Sequence, residues 1–320
     1  MIAFSETADV IQSSSNIALA CHVNPDGDAL GSMLGLFHVL RAQGKEVVAS
    51  FPTPFIVAPP YKSLPGLDKL VPPEKFPANP DVMITFDCGA LNRLGDLKEA
   101  AVKAQQLIVV DHHLSNEGFG TINLIDPDAA ASAVVTRELI HALGLPLNRD
   151  AALCLYVALI CDTGRFAYDS TKPSVFELAA ELASFDLPIA ELTRTIFEEH
   201  SFAYMQLLGE VLQHMVFSPV HHFVWAAITQ QQLAKYGVSY EEIDETIDVI
   251  RQTSEAEVAA VFKEQPDGSW RGSLRSLGRV NVEAIAAQFH GGGHKYAAGF
   301  TTKHSLESIV ATIESALAND

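Results

Sequence analysis

The chain has 320 residues, 48% of them hydrophobic, which is enough for two globular domains with separate cores. Its formal net charge is −18, and a protein this acidic is a poor general binder of long duplex nucleic acid, because phosphate contacts need a basic surface. No apolar run reaches the about 20 residues that span a bilayer and no secretory signal is recognisable, so we expect a cytoplasmic protein without membrane partners.

Apolar runs and helical patterns alternate through the first half of the sequence. The runs IALAC, EVVASF, DVMITF and QLIVV predict buried strands over residues 17–21, 46–51, 81–86 and 106–110. Apolar residues at helical spacing predict helices over 32–43, 132–143, 150–162 and 172–185. This alternation is typical of an α/β domain, a parallel sheet with helices on both faces.

The alternation ends near Pro188. We therefore predict a first domain over residues 1–186, a connecting segment over 187–204 and a smaller α+β domain over 205–320.

The second half contains fewer and more varied elements. Residues 220–229 alternate like a strand, which places His221 and His222 on opposite faces. The runs VAAVFKE and SWRGSLRS flank Asp267 and Gly268, a strong hairpin signal. Further elements are a helix over 281–289, a glycine-rich loop over 291–293, an extended run over 296–302 and a closing helix over 306–317.

Acidic residues and histidines follow three of the predicted strands and end one predicted helix. In chain order they are His22, Asp26, Asp28, Asp87, Asp111, His112, His113 and Asp162. We expect these side chains to converge, because the carboxyl ends of parallel strands meet at one edge of a sheet. Carboxylates and imidazoles together suit hard or borderline divalent metals, and pairs of such metals hydrolyse phosphate esters.

Each of these residues also has a local interpretation. Aspartate at a strand end commonly forms a turn or caps a helix. The coincidence of so many at the same predicted edge favours one shared metal site. Pro25 and Gly27 are expected to turn the loop that carries Asp26 and Asp28, with Gly31 and Ser32 opening the next helix.

Several segments resemble the motifs of the DHH phosphoesterase superfamily. The four motifs correspond to HVNPDGDALGS at 22–32, FDCG at 86–89, DHH at 111–113 and CDTGRF at 161–166. SLRS at 273–276 and GGGHKYAAG at 291–299 resemble the associated DHHA1 domain. The resemblance runs from about residue 17 to residue 302 and is strongest to the two-domain nanoRNase and phosphoadenosine phosphate phosphatase group.

The resemblance implies a two-metal centre whose cations share an attacking hydroxide. By this resemblance the ligands are His22, Asp26 and Asp87 for one Mn²⁺, and Asp28, Asp87, His112 and Asp162 for the other. Mixed carboxylate and imidazole ligands suit manganese and leave Mg²⁺, Co²⁺ and Zn²⁺ open. His113 would contact the phosphate or protonate the leaving oxygen, and Asp111 would orient a histidine.

A second set of residues is predicted to hold the rest of the substrate. Arg275 lies on the second strand of the predicted hairpin, and arginine can hold phosphate bidentately. Gly291, Gly292 and Gly293 can expose backbone N–H groups, and His294 adds a donor. By the resemblance, these residues bind the substrate's other phosphate or terminal nucleotide across the cleft between the domains.

Two further residues bear on the substrate site. Arg165, in the run DTGRF, could contact phosphate or have a structural role. His290 stands where many relatives carry another glycine, and this departure could narrow the pocket.

The leading hypothesis is a metal-dependent phosphoesterase for nucleotide phosphates and very short single-stranded RNA or DNA. It would cleave about two to five nucleotides to mononucleotides by two-metal attack and convert 3′-phosphoadenosine 5′-phosphate to AMP. An alternative is a phosphodiesterase for the linear dinucleotides pApA and pGpG. A non-catalytic nucleotide sensor would tolerate loss of metal ligands, yet every expected ligand is present. The sequence leaves a homodimer, the native metal, the base preference and the direction of attack open.

Overall fold

The computed structural model describes residues 3–318. Two compact units, Met1–Glu199 and His200–Asp320, make up the chain. The division between them falls inside the segment predicted to connect two domains. Within residues 3–318, none of the helices combines the length and the apolar character needed to cross a bilayer.

The first unit alternates strands with helices. Its strands are β1 Ile17–Cys21, β2 Val47–Ser50, β3 Val82–Phe86, β4 Gln106–Asp111 and β5 Ile122–Ile125. Its helices are α1 Phe4–Ser13, α2 Gly27–Ala42, α3 Lys98–Lys103, α4 Ser132–Ala142, α5 Arg149–Asp162, α6 Pro173–Ala183 and α7 Ile189–Phe197. Short 3₁₀ turns occupy Pro59–Tyr61, Leu67–Lys69, Pro73–Lys75 and Leu91–Leu97.

The five strands form one parallel sheet in the order β2-β1-β3-β4-β5. Leu19 and Ile84 point to a large core that includes residues of α2, α4 and α5. Ala18 and Met83 point the other way, to a smaller core that includes α3. The predicted parallel sheet covered on both faces is confirmed, although β5 and α1 were not predicted.

Helix α2 begins earlier than the sequence pattern indicated. Asp26 caps it by accepting a hydrogen bond from the backbone N–H of Ala29 at 3.0 Å. The helix therefore starts at Gly27 rather than Ser32, and Asp28 lies in its first turn. The expected loop around Asp28 is wrong, because the aspartate cap and the following apolar residues extend the helix by more than a turn.

The first half of α2 packs closely against α5. It carries a glycine at every fourth position: Gly27, Gly31 and Gly35. A Cβ on Gly31 would lie 2.3 Å from the backbone oxygen of Cys154, so only glycine fits there. This seam between α2 and α5 links the helix turn that carries Asp28 to the helix end that carries Asp162.

The second unit is built on a mixed sheet. Its strands are β6 Val216–Ser218, β7 Phe223–Ile228, β8 Val258–Glu264, β9 Trp270–Ser276, β10 Gly292–His294 and β11 Ala297–Thr302. Its helices are α8 Phe202–Gln213, α9 Gln230–Tyr236, α10 Thr246–Ile250, α11 Val282–Ala287 and α12 Leu306–Leu317, with a 3₁₀ turn at Tyr240–Ile243. The sheet order is β10-β11-β9-β8-β7-β6, in which only the β7–β8 pairing is parallel within the described residues.

The predicted hairpin is confirmed as the antiparallel pair β8 and β9. The strand predicted over 220–229 begins later, at Phe223, and His221 and His222 lie in the turn before it. His222 has a positive φ of 46°, which ends the extended backbone there. The prediction that these two histidines alternate on a strand is therefore wrong.

Candidate metal centre

The carboxyl ends of β1, β3 and β4 bring chemically active side chains to one edge of the first sheet. His22 directly follows β1, Asp87 directly follows β3, and Asp111 is the last residue of β4. Asp162 ends α5 and reaches the same place. β1 and β3 are neighbours in the sheet, and ligands of open α/β sheets bind where the strand order reverses.

One group of potential ligand atoms comprises His22, Asp26 and Asp87, all within 4.8 Å of one another. Nε2 of His22 lies 3.4 Å from Oδ2 of Asp87 and 3.9 Å from Oδ2 of Asp26. Nδ1 of the same ring lies 2.9 Å from the backbone oxygen of Val23. Nε2 of His22 is therefore the ring nitrogen that faces the two carboxylates.

A second group comprises Asp28, His112 and Asp162. Nε2 of His112 lies 2.9 Å from Oδ2 of Asp162 and 3.8 Å from Oδ2 of Asp28. The same nitrogen is 3.5 Å from Oδ1 of Asp87, so Asp87 adjoins both groups. Nδ1 of His112 lies 3.3 Å from the backbone oxygen of Ala129, which again directs Nε2 to the carboxylates. The structure thus brings these six side chains close together. A further group of possible ligand atoms comprises Asp87, His112 and His113.

The electrostatics of these groups fit a divalent cation. Asp28 is fully buried and Asp87 is only 4% exposed, and buried charges need a counter-charge or a metal. Burial and the negative charges of Asp87 and Asp162 raise the pKa of Asp28 well above its usual value. Burial opposes ionisation of Asp87 too, but its hydrogen bond to His22 and the adjacent histidines lower its pKa. Although burial disfavours its charged form, Asp162 raises the pKa of His112 to about 11.

Asp28 is held by donors that the sequence pattern did not reveal. Its carboxylate accepts hydrogen bonds from Oγ of Ser32 at 2.9 Å and from the backbone N–H groups of Ser132 and Ala133 at 2.6 and 3.1 Å. These two N–H groups belong to the first turn of α4, where the helix dipole also favours an anion. Oγ of Ser132 donates a further hydrogen bond to Oδ1 of Asp87 at 3.0 Å. Ser132 thus connects two predicted ligands.

His113 lies beside the two groups, next to Asp87 and Asp111. Its Nδ1 lies 2.7 Å from Oδ1 of the buried Asp111 and 3.6 Å from Oδ1 of Asp87. Burial lowers the pKa of His113, but the hydrogen bond to Asp111 and the charges of Asp87 and Asp111 more than offset this and raise it. A protonated imidazole beside a phosphoester site can act as a general acid.

Two arginines occupy different positions around the centre. Nη2 of Arg93, which sequence analysis missed, lies 2.9 Å from Nδ1 of His22. Its only sequence signal is its place six residues after Asp87. Arg165 lies instead over the Phe197 ring, 5.1 Å from its centroid, and 3.7 Å from a carboxylate oxygen of Glu198.

In the second unit, two predicted substrate residues, His294 and Arg275, lie in one row on one face of the sheet. His294 on β10 pairs with Ala297 on β11, which pairs with Arg275 on β9. Two strand spacings, about 10 Å, therefore separate the backbones of His294 and Arg275. The next row on the same face has small residues on these three strands, namely Gly292, Gly299 and Ser273. A planar or extended ligand can approach the backbone closely at this small-residue platform.

The glycine-rich segment is a strand rather than the predicted loop. Gly292–His294 pairs with β11 at the edge of the sheet. A Cβ on Gly291 would lie 2.3 Å from the backbone oxygen of Gly299, which explains the need for glycine there. His290 has a positive φ of 60° at the end of the turn that follows α11, a conformation that glycine adopts without strain.

Comparisons with known proteins agree with this geometry. A model of the DHH family, N-terminal domain, matches residues 16–159, and a model of the DHHA1 domain matches residues 222–319. One relative, the bifunctional oligoribonuclease and PAP phosphatase NrnA of Thermus thermophilus, is 34% identical over 293 residues, covering 90% of this chain and 84% of the relative. The Bacillus subtilis protein of that name is 27% identical over 298 residues, 92% of each chain.

A solved structure extends the comparison to the fold. The crystal structure of an exopolyphosphatase-related protein from Bacteroides fragilis superposes with a TM-score of 0.92 at 25% identity, covering 99% of this chain and 95% of the other. The matched family models, the Thermus relative and this fold lead to one assignment. The chain belongs to the DHH phosphoesterase family, with a DHHA1 domain in its second unit, and is a metal-dependent phosphoesterase.

Proposed function

We propose that this phosphoesterase hydrolyses oligoribonucleotides of about two to five nucleotides to mononucleotides, by two-metal catalysis, and converts 3′-phosphoadenosine 5′-phosphate to AMP. The printed names of the Thermus and Bacillus relatives, oligoribonuclease and PAP phosphatase, support both activities. One site can serve both if it recognises a nucleotide with a phosphate near its 3′ oxygen.

The observation that carries the proposal is the pair of ligand groups that meet at Asp87. We propose that this pair holds two Mn²⁺ ions, with Mg²⁺ or Co²⁺ as substitutes. When bound, such ions activate water and neutralise charge on the phosphate. Nε2 of His22 and Nε2 of His112 both face the carboxylates, and Nδ1 of His112 lies near the backbone oxygen of Ala129.

We propose that His113 is the general acid. Because Nδ1 is committed to Asp111, Nε2 is the nitrogen that would exchange a proton with substrate. As the bond from phosphorus to the leaving oxygen breaks, its electron pair stays on that oxygen, which takes the Nε2 proton. Asp111 accepts the hydrogen bond from Nδ1 and so holds the ring in place during the transfer.

The small-residue platform of the second unit is proposed to bind the remainder of the substrate. Arg275 would hold a phosphate and His294 would donate a further hydrogen bond, with the adjacent glycines allowing close approach. Arg165 remains a proposed phosphate contact, which would require it to leave Glu198.

The first experiment is product analysis with Mn²⁺. It uses a 5′-labelled RNA series from the dinucleotide to about ten nucleotides. The longest members of this series are long enough to fill the binding site of a general single-strand-binding protein. Phosphate release from 3′-phosphoadenosine 5′-phosphate is measured in parallel. We expect fast turnover of the shortest oligonucleotides together with phosphate release.

Other outcomes would redirect the assignment. Activity confined to dinucleotides would replace the proposal with a phosphodiesterase for linear pApA or pGpG. Binding of these nucleotides without turnover, with Mn²⁺, Mg²⁺ or Co²⁺, would contradict the proposed hydrolysis and favour a sensor.

The role of Arg275 has its own test. Arg275→Ala should raise KM for a dinucleotide by about tenfold to a hundredfold, since a charged hydrogen bond contributes about 1.5–3 kcal/mol. KM for bis-p-nitrophenyl phosphate should change little, because that diester lacks a second nucleotide. Arg251→Ala, which removes an arginine paired with Asp248 in the same unit, is the control. Equal effects of Arg275→Ala on both substrates would remove the assigned role.

A further inference from the structure

Asn116 lies in the loop after β4 and ties that loop to the one after β3. Its side-chain Nδ2 donates to Oδ2 of Asp111 at 2.5 Å and to the backbone oxygen of Cys88 at 3.2 Å. Its Oδ1 accepts a hydrogen bond from the backbone N–H of Gly118 at 2.9 Å. The partners fix the orientation of the amide, because a carboxylate and a carbonyl only accept whereas a backbone N–H only donates.

The two oxygens of Asp111 thus have different partners. Oδ1 accepts from Nδ1 of His113, and Oδ2 accepts from Asn116. Asp111 is fully buried, so its carboxylate depends on these donors to offset the cost of leaving water. If the Asn116 donor is lost, the carboxylate can rotate, and the ring of His113 then loses its fixed orientation.

We infer that Asn116 is a positioning residue for catalysis, acting through Asp111 on the general acid His113. The inference rests on the function proposed above. Cys88 follows Asp87 directly, so the second hydrogen bond of Asn116 also fixes the loop that carries Asp87 relative to the loop that carries His113. Residues that orient a catalytic imidazole through an intermediate carboxylate act mainly on the proton-transfer step rather than on substrate binding.

The test exploits the leaving group. Hydrolysis of a dinucleotide releases a nucleoside alkoxide, which is a poor leaving group and needs a proton. Hydrolysis of bis-p-nitrophenyl phosphate releases p-nitrophenolate, which leaves without one. Asn116→Asp keeps the shape and the acceptor for Gly118 but removes the donor to Asp111 and Cys88 and places a second carboxylate beside Asp111. We expect this variant and Asn116→Ala to lower kcat on a dinucleotide by about tenfold to a hundredfold. We expect KM to stay within about twofold, and kcat on bis-p-nitrophenyl phosphate likewise.

Two measurements separate positioning from a general structural effect. Mn²⁺ affinity in Asn116→Ala, measured by calorimetry, should change by less than about twofold, because the backbone N–H of Asp87 still donates to Val110. ¹⁵N NMR of the metal-free protein, at a pH at which the His113 ring is neutral, should show the ring changing from one tautomer to a mixture. Asn148→Ala is the matched control, because Asn148 caps the distant end of α5 and donates to the backbone oxygen of His38. It should lower stability without changing the ratio of the two activities.

The outcomes are distinguishable. If the wild-type protein hydrolyses neither substrate, the proposed function fails. If the wild-type protein hydrolyses both but the Asn116 variants lose both activities equally, or the His113 tautomer is unchanged, then the inference about Asn116 is wrong and the proposed function stands.

Discussion

Asp87 connects the histidines of the candidate centre, and its role can be tested with a single substitution. Its carboxylate lies within 3.6 Å of ring nitrogens of three histidines: His22, His112 and His113. Its backbone has a positive φ of 53°, a conformation that few aspartates adopt and that usually persists only where surrounding contacts hold it. The backbone N–H donates to the oxygen of Val110 at 3.0 Å, and this contact helps to hold the residue in place.

Replacing Asp87 tests the shared ligand. Asp87→Asn keeps the shape of the side chain but removes its charge. Mn²⁺ affinity and the rate of hydrolysis should each fall by at least about a hundredfold, because losing a ligand costs more than losing a residue that only hydrogen-bonds to a ligand. Calorimetry and turnover of a dinucleotide provide the two measurements. Asp81→Asn, just before the other end of β3, is the matched control. Retained Mn²⁺-dependent activity in Asp87→Asn would contradict the proposal that Asp87 is a ligand shared by the two groups.

Residues at strand ends could be placed from the sequence, whereas their supporting contacts could not. His22, Asp87 and Asp111 were predicted to converge because each follows or ends a recognisable strand. Ser132 contacts Asp28 across 104 positions of sequence, and Asn116 acts through hydrogen bonds within an irregular loop. Neither produces a periodic or compositional pattern, so only the folded chain reveals them.

Among the elements, helices α8 and α9 are linked by hydrogen bonds to one carboxylate. Glu210 on α8 accepts hydrogen bonds from Lys235, Tyr236 and Gln232. These bonds, led by that from Lys235, lower the pKa of Glu210 from 4.5 to about 2. A lowered carboxyl pKa means that the stabilisation is present above about pH 4.5 and is lost as the pH falls toward 2.

Acid unfolding should therefore depend on Glu210. The unfolding temperature of the wild-type protein should fall between about pH 4.5 and pH 2, and Glu210→Gln should fall less steeply because it lacks the titrating group. Circular dichroism melts at several pH values give the comparison. Glu241→Gln, an exposed glutamate of the same unit, serves as the control. Parallel curves for wild type and Glu210→Gln would contradict this account.

The elements themselves were predictable where local signals were strong. The Asp267–Gly268 turn identified the β8–β9 hairpin, and the apolar runs identified β1, β3 and β4. Local signals failed where another interaction decided the structure. β5 is only four residues long and lies at a sheet edge, and the glycines after His290 form an edge strand because β11 pairs with them.

At the scale of the whole molecule, the acidic composition and the metal centre have a common consequence. Carboxylates that crowd together in the first unit repel one another until a cation binds. Mn²⁺ should therefore raise the unfolding temperature, with a stabilisation of about 2.7 kcal/mol at a concentration a hundred times Kd. Differential scanning calorimetry measures this shift. Asp162→Asn should greatly reduce it, and Arg275→Ala should retain it. A full shift in Asp162→Asn would argue against Asp162 as a ligand.

The glycine-spaced seam between α2 and α5 also governs when the centre can form during synthesis. Asp28 is made early, but Asp162 is made 134 residues later, at the end of the helix that must dock on α2. A chain still on the ribosome therefore lacks the complete set of proposed ligands until α5 has emerged and packed against those glycines. Metal capture is thereby postponed until most of the first unit has folded, and a half-made chain would hold a cation only weakly.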